Sequence, residues 1–302
     1  MKFIHCADIH LGQTINGNKE RYKDFFYAFD QVACHAIKNR VDCIIIAGDL
    51  FQHGNLNPRT LGDSVEIFEK IRNEKIPVIA IEGNHDFFRR GRKDSWLAYL
   101  ARRGFLRLLR PGRNIEEGTY VFEPLDPATG VGGWTEIKGY RIYGFGYWPS
   151  RVAERLEKAL ENLSEVVDVG ILHAGVWDFD VTGKISPDEI RKFSNRFRYL
   201  ALGHGHKKKE ISNETGRVFA YNPGSLEAIN IKEADYHDGK GFAYLVNLED
   251  ELTEVTPLEI ERRPFHNLKI DVTGAESPEK VNKTTEYFIN GFLEDKNFAR
   301  KP

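Results

Sequence analysis

The chain has 302 residues, of which 41% are hydrophobic and 29% are charged, and its formal net charge is −2. This composition describes a globular protein with a sizeable core and excludes a disordered or collagen-like chain. The small net charge gives no general attraction to nucleic acid, so any such binding depends on local patches. The apolar runs are too short for a secretory signal or a membrane span of roughly 18 residues, so we expect an intracellular protein that does not enter a membrane.

In chain order, the first half alternates short apolar runs with longer amphipathic stretches. The runs "KFIHCA", "VDCIIIAG" and "IPVIAIEG" predict strands, and residues 20–40 and 58–75 predict helices. This alternation is typical of βαβ units with a sheet buried on both faces. The second half predicts short strands over 105–148, a helix over 150–164, a buried strand at "VVDVGILHAG" and more short strands over 197–247. The predicted fold class is α/β, as a two-sheet α/β sandwich.

The character of the sequence changes near residue 262. "RRPFHNLKIDVTG" predicts one strand, and "SPEKVNKTTEYFINGFLED" predicts one helix with Ser277 as its cap and Pro278 in its first turn. One strand and one helix make a poor domain. We therefore predict a domain over residues 1–262 and, over 263–302, the start of a small C-terminal α+β capping domain whose remainder is missing, against the alternative of a short natural tail.

Three cysteines, Cys6, Cys34 and Cys43, all lie inside apolar segments. An odd number of cysteines in such settings predicts buried thiols rather than disulfides or metal ligands.

Polar side chains follow the predicted strands at the point where each strand ends, which is where open α/β sheets place their sites. "GD", "GNHD" or a single strand-end histidine each has a structural explanation, but five such coincidences together favour a common site. The side chains concerned are Asp8, His10, Asp49, Asn84, His85, Asp86, His173, His204 and His206.

This set contains carboxylates, an amide oxygen and several imidazoles, but no cysteine. That is too many ligands for one tetrahedral zinc ion, and the mixture of oxygen and nitrogen donors suits two divalent ions bridged by a carboxylate. The natural reaction of such a pair is hydrolysis at phosphorus, by in-line attack of a metal-bridging hydroxide. The sequence therefore predicts a two-metal phosphoesterase, with manganese as the expected metal.

The motifs "DIH", "GDLF", "GNHD", the histidine at 173 and "GHGH" resemble, in order and spacing, those of the calcineurin-like metallophosphoesterase superfamily. More narrowly, "HCADIHLG", "AGDLF", "EGNHD", "ALGHGHKKK" and "YNPGSLEAIN" resemble the SbcD and meiotic-recombination-eleven family of DNA repair nucleases. The resemblance covers about residues 1–262. It implies an exo- and endonuclease that hydrolyses phosphodiester bonds during double-strand-break repair.

The resemblance also implies a role for each site residue. Asp8, His10 and His206 would hold the first metal, Asn84, His173 and His204 the second, and Asp49 would bridge them. His85 would be the catalytic histidine. From its place directly after His85 in the turn, Asp86 is the candidate for orienting that ring. Two positions depart from the family pattern: Gln52 stands where many members have a histidine, and Gly205 separates the histidines of "GHGH" where the family has a larger residue.

Two basic segments adjoin the predicted metal motifs. "FFRRGRKD" follows "GNHD", and "KKK" follows "GHGH". Charge runs are usually solvated surface, but two runs beside one site favour contacts with DNA phosphates. The predicted DNA-binding residues are His53, Arg89, Arg90, Arg92, Lys93, Lys207, Lys208 and Lys209, and the aromatic candidates for base stacking, with core or loop packing as the alternative, are Tyr147, Trp148, Trp177 and Phe179.

Two other functions remain open at this stage. A phosphoesterase acting on small phosphoesters or phosphoproteins would share every ligand. A scaffold that bridges DNA ends and holds an ATPase would make the metal site secondary. The resemblance implies as partners DNA ends or single-stranded or branched DNA, an SMC-like ATPase of the SbcC type, and a second copy in a homodimer through helices of the phosphoesterase domain. Residues 20–40 and 58–75 are the candidates for those helices. The expected location is the cytoplasm or, in a prokaryote, the nucleoid.

Overall fold

The structure is a computed structural model that describes residues 1–15, 17–86, 94–114, 119–163, 166–176, 182–233, 236–249, 252–264 and 268–295. The chain divides into two compact units, Met1–Arg263 and Pro264–Pro302. The assignment of these units to a phosphoesterase domain and a capping domain stays a prediction.

Most of the regular structure lies in the first unit. Its helices are α1 Lys19–Asn39, α2 Pro58–Asn73, α3 Trp96–Arg102, α4 Val152–Glu161 and α5 Pro187–Arg191, with 3-10 turns at Ile231–Glu233 and Tyr236–Gly239; α6 Pro278–Asp295 lies in the second unit. The strands are β1 Lys2–Cys6, β2 Cys43–Ile46, β3 Val78–Ala80, β4 Arg107–Leu109, β5 Gly112–Asn114, β6 Thr119–Val121, β7 Val131–Gly132, β8 Trp134–Ile137, β9 Tyr140–Tyr147, β10 Val167–His173, β11 Gly175–Val176, β12 Lys184–Ile185, β13 Phe197–Gly203, β14 Lys209–Ser212, β15 Val218–Asn222, β16 Gly241–Leu248 and β17 Thr253–Ile260.

Local chemistry explains where the long helices begin. Asn18 caps α1 by accepting a hydrogen bond from the backbone N–H of Glu20, and Asn57 caps α2 by accepting one from Thr60. Pro58 occupies the first turn of α2, where its missing N–H costs nothing. α1 begins 13 positions after the end of β1 and α2 begins 12 positions after the end of β2, and the loops between strand and cap carry the site residues that follow these strands.

Two large sheets form the centre of the first unit. One has the order β17-β16-β1-β2-β3-β4-β7 and the other β14-β15-β13-β10-β9-β8. Within them β1, β2 and β3 are parallel neighbours, as are β9, β10, β13 and β15. The carboxyl ends of parallel neighbours lie at one edge of their sheet, so the residues that follow β1, β2 and β3 lie together.

The hydrophobic core has three parts. One cluster joins the two sheets and includes Phe3, Ile45, Ile79, Val169 and Tyr199. A second packs the outer face of the seven-stranded sheet against α1, α2 and α3, and a third packs the outer face of the six-stranded sheet against α4 and α5. The layers are therefore helix, sheet, sheet and helix, and the predicted two-sheet α/β sandwich is confirmed.

Two details of the sequence interpretation differ from the structure. Cys6 and Cys43 are buried as predicted, but Cys34 is exposed on α1, beside the ammonium of Lys70 at 3.1 Å. The predicted helix after Ser277 is present, whereas residues 262–264 and 268–274 form no strand. No helix among the described residues has the length and apolar character needed to cross a membrane.

Candidate metal centre

The predicted ligands follow five strand ends and lie at the junction of the two sheets. Asp8, His10, Asp49 and His204 all have positive φ angles, between 51° and 78°. This left-handed backbone is uncommon outside glycine and clusters at functional sites. It turns the chain sharply after β1, β2 and β13, so that these side chains face inward instead of continuing along the sheet.

Three groups of side chains bring their ligand atoms within 4.8 Å of one another. The groups are Asp8 with His10 and His206, His10 with Asp49 and His85, and Asp49 with His173 and His204. His10 and Asp49 are shared between groups, so the three form one continuous cluster.

In the first group the two imidazoles face each other directly. The Nε2 atoms of His10 and His206 are 3.1 Å apart, and Asp8 Oδ1 lies 3.9 Å from His206 Nε2. Two nitrogen ligands bound about 2.0–2.1 Å from one ion are about 2.9–3.4 Å apart when the nitrogen–metal–nitrogen angle lies between about 90° and the tetrahedral value. The observed separation therefore fits two ligands of a single ion.

The carboxylate of Asp49 belongs to both the second and the third group, and one of its oxygens faces both ends of the cluster. Asp49 Oδ2 lies 3.3 Å from His173 Nε2 and 3.9 Å from His10 Nε2, while Asn84 Oδ1 lies 3.1 Å from His173 Nε2. The other oxygen, Asp49 Oδ1, accepts the backbone N–H of His85 at 2.8 Å. Asp49 is thus fixed by Oδ1 and offers Oδ2 between the first group, through His10, and the third group, through His173.

Four of the five histidines have one ring nitrogen committed to an oxygen acceptor. His173 Nδ1 donates to Ala47 O, His85 Nδ1 to Gln52 O, His204 Nε2 to Thr182 O and His206 Nδ1 to Glu233 Oε1. An acceptor oxygen on one nitrogen fixes the ring and directs the other nitrogen inward. His10 is the exception, because its buried Nδ1 has no partner among the described residues.

Burial and neighbouring charges set the pKa values in the cluster. Burial lowers the pKa of His204 to about 4, and the nearby His173 acts in the same direction. For His173, burial lowers the pKa, but the carboxylate of Asp49 outweighs burial and the result is about 9. The Asp49 carboxylate therefore favours a positive charge at its side of the His173 ring, a position that a divalent cation can take over.

Together these features fit a pair of divalent ions. The donors are carboxylate and amide oxygens and imidazole nitrogens, directed inward, with no thiolate, and one carboxylate stands between the two groups. The assignment of individual ligands to each ion stays a prediction.

His85 and Asp86 occupy different environments. The ring of His85 is half-buried and packs edge to face on His10, with 4.9 Å between ring centroids. Asp86 is buried and its carboxylate accepts the backbone N–H groups of Leu50, Phe51 and Gly83. Asp86 therefore ties two site loops together, and the carbonyl of Gln52, not Asp86, orients the ring of His85.

The predicted DNA contacts divide into three sets. Lys207 is exposed and lines the cleft of about 620 Å³ that opens over the cluster. Lys208 instead lies over the ring of Phe242 at 4.3 Å, and Lys209 donates to Val176 O at 2.8 Å. His53 is exposed but does not line this cleft. Outside the described residues lie Arg89, Arg90, Arg92, Lys93, Trp177 and Phe179.

The two remaining aromatic candidates contact the protein itself. Trp148 is 6% exposed and packs in the core on Tyr120, so the packing alternative holds for it. The ring of Tyr147 lies beside His204, and its hydroxyl donates to Thr182 at 3.2 Å.

Sequence interpretation missed three residues of the cleft. Glu233, Tyr236 and Thr182 line it, and none follows a predicted strand or belongs to a motif. The only signal in the sequence was that "YNPGSLEAIN" leads toward Glu233, which lies 27 residues after His206.

A sandwich of two sheets whose parallel strands end in this donor set defines a metal-dependent phosphoesterase, a hydrolase. Residues 1–208 match the family model of the calcineurin-like phosphoesterases, and the chain belongs to that family. The predicted superfamily is therefore confirmed.

Curated relatives include DNA double-strand break repair proteins named Mre11. That of Archaeoglobus fulgidus is 33% identical over 93% of this chain and 64% of its own length, and that of Saccharolobus solfataricus is 28% identical over 87% and 65%. The chain thus spans slightly less than two thirds of these relatives. Among solved structures, a dimetal phosphatase from Danio rerio covers 87% of this chain and 99% of its own at 12% identity and a TM-score of 0.49, a likeness too distant to bear on function.

Proposed function

We propose that this protein is a manganese-dependent DNA nuclease that hydrolyses phosphodiester bonds with two divalent ions. The observation that carries the proposal is the continuous cluster of donors in which Asp49 offers one oxygen between two groups of imidazoles. Hard oxygen and imidazole donors in this number suit manganese, whereas magnesium prefers oxygen ligands and retains its waters.

Each residue then has a defined task. Asp8, His10 and His206 hold one ion, Asn84, His173 and His204 hold the other, and Asp49 bridges them. When bound, the ions supply an acidified water as nucleophile and neutralise the charge on the phosphoryl oxygens.

His85 is the one imidazole of the cluster without a ligand task. Its Nδ1–H is held by the carbonyl of Gln52 at 2.8 Å, which directs Nε2 into the cleft. From there it can donate a proton to the departing 3′ oxygen or, as a cation, stabilise the charged transition state.

DNA is proposed as the substrate because the relatives carry the name of a DNA double-strand break repair protein and because Lys207 stands at the cleft. A cation there can meet a backbone phosphate next to the scissile one. Nothing in the described residues resembles a base-reading module, so ends and single-stranded regions are the expected targets.

We also propose the assemblies that the family resemblance implies, which are a homodimer and a complex with an SMC-like ATPase inside the cell. The dimer would use α1 and α2. Tyr22, Phe26, Tyr27 and Ile67 line a groove of about 350 Å³ between these helices, and Tyr27 is 56% exposed.

The test is cleavage of end-labelled single- and double-stranded DNA with manganese, with magnesium, and in a chelator. We expect cleavage with manganese, weaker cleavage with magnesium and none in the chelator. A nitrophenyl phosphate monoester serves as the comparison substrate. Rapid turnover of that ester without cleavage of either DNA would favour a small-molecule or phosphoprotein phosphatase, and full DNA cleavage in the chelator would refute the two-metal proposal.

A further inference from the structure

We propose that Glu233 is a positioning residue of the metal centre, which holds His206 as a ligand of the first ion. The starting observation is a difference among the histidines. Three of the four anchored rings are held by neutral backbone carbonyls, those of Ala47, Gln52 and Thr182, whereas His206 alone is held by a carboxylate, with Glu233 Oε1 at 3.0 Å from Nδ1. This inference rests on the proposed metal site.

The carboxylate of Glu233 is itself fixed on both oxygens. Oε1 also accepts the side-chain amide of Asn230 at 2.8 Å, and Oε2 accepts the backbone N–H of Ile229 at 3.2 Å. The side chain is 8% exposed, and its residue ends the 3-10 turn Ile231–Glu233. Contacts from the two residues before the turn therefore fix the Glu233 carboxylate with Oε1 facing His206.

This contact determines which nitrogen of His206 faces the metal position. A carboxylate can only accept, so Nδ1 carries the proton and Nε2 is directed toward His10 Nε2 at 3.1 Å. The negative charge behind the ring also strengthens Nε2 as a donor to a cation, as carboxylate partners do for metal-bound histidines in general. Within the first group this matters more because His10 has no anchor on its Nδ1 among the described residues.

Glu233 also explains how Gly205 is tolerated. The histidines of "GHGH" are separated by a residue without a side chain, so the turn itself gives little orientation to the second imidazole. Asn222 donates to the carbonyl of Gly205 at 2.7 Å and fixes the backbone there, and Glu233 fixes the ring that follows. Two hydrogen bonds therefore hold the turn and the ring that follows it.

The test compares Glu233→Leu and Glu233→Gln with the parent chain, by calorimetric titration of the metal-free protein with Mn²⁺ and by electron paramagnetic resonance. The parent should bind two ions and give the spectrum of an exchange-coupled manganese pair. Glu233→Leu should bind the first-group ion about 10- to 100-fold more weakly and give the spectrum of isolated ions. Glu233→Gln, whose amide oxygen can still accept from Nδ1, should lose less.

Glu227→Gln is the matched control. This carboxylate is 1% exposed on the same segment, but it pairs with Arg21 at 3.0 Å and not with an imidazole. It should lower the melting temperature and leave the coupled spectrum intact. A folded Glu233→Leu or Glu233→Gln protein with the parental Mn²⁺ affinity and spectrum would overturn the role of Glu233, whereas a parent chain that binds no pair of ions would overturn the proposed function itself.

Discussion

Removal of the His85 imidazole should stop chemistry without emptying the metal site. The backbone N–H of His85, which alanine keeps, donates to Asp49 Oδ1 at 2.8 Å, so Asp49 should stay in place in His85→Ala. The ring itself contacts the Gln52 carbonyl and packs on His10, and neither contact is needed to bind an ion. We therefore expect the variant to keep both ions and its affinity for DNA.

The expected loss in rate follows from the proposed task of the ring. Proton transfer by a positioned side chain contributes about 10²- to 10⁴-fold, which corresponds to about 2.7–5.4 kcal/mol of activation free energy. His85→Ala should lose cleavage of single-stranded DNA by a factor in that range at saturating manganese. Asp49→Ala, by contrast, should lose the metals, because its Oδ2 faces both groups.

The assay combines initial cleavage rates with elemental analysis of the desalted proteins and a fluorescence anisotropy measurement of DNA affinity. His85 also lies within ligand distance of His10 and Asp49, so the alternative is that it binds a metal. A His85→Ala protein that has lost an ion would establish that alternative, and one that cuts at the parental rate would exclude any role in catalysis.

Three further predictions follow from contacts around the site. Gly83→Ala would place a Cβ atom 2.1 Å from Asp49 Oδ1, so the carboxylate must move and calorimetry should find weakened Mn²⁺ binding; unchanged affinity would contradict this packing. Lys207→Ala should reduce the slope of the logarithm of DNA affinity against the logarithm of salt concentration by about 0.7–0.9. Lys75→Ala is the control, because Lys75 is exposed and precedes β3, whereas the site residues follow that strand, and this variant should keep the parental slope. Equal slopes for the two variants would place Lys207 outside the DNA path. Burial lowers the pKa of His5 to about 3, below its value in the unfolded chain, so the unfolded chain binds the proton first as the pH falls. The free energy of unfolding should therefore decrease as the pH drops from about 6.5 toward 3, by up to about 1.4 kcal/mol per pH unit. His5→Asn should show a shallower fall in urea unfolding, and parallel curves would contradict the assignment.

The layout of the site could be predicted because the ends of buried strands can be recognised in the sequence, where an apolar run stops. Asp8, Asp49 and Asn84 follow apolar runs that pair in parallel as β1, β2 and β3, and parallel pairing places their carboxyl ends together. The amphipathic stretches likewise correspond to α1 and α2.

Other features depend on contacts between distant residues. Glu233 lies 27 residues after His206 in sequence, beyond β14 and β15, and apart from the nearby "YNPGSLEAIN" nothing marks it as a partner of that ring. The sequence also does not indicate where the side chains of the "KKK" segment point. Lys209 begins β14, so its side chain and that of Lys208 leave the backbone on different sides. Lys209 contacts Val176, and Lys208 contacts Phe242. Orientation of this kind is set by the fold and not by composition.

The most direct test of the two-metal account is anomalous diffraction at the manganese edge from crystals of this chain grown with Mn²⁺. We predict two anomalous peaks, one among Asp8, His10 and His206 and one among Asn84, His173 and His204, with Asp49 between them and His85 bound to neither. A single peak, or peaks held by other side chains, would contradict the account.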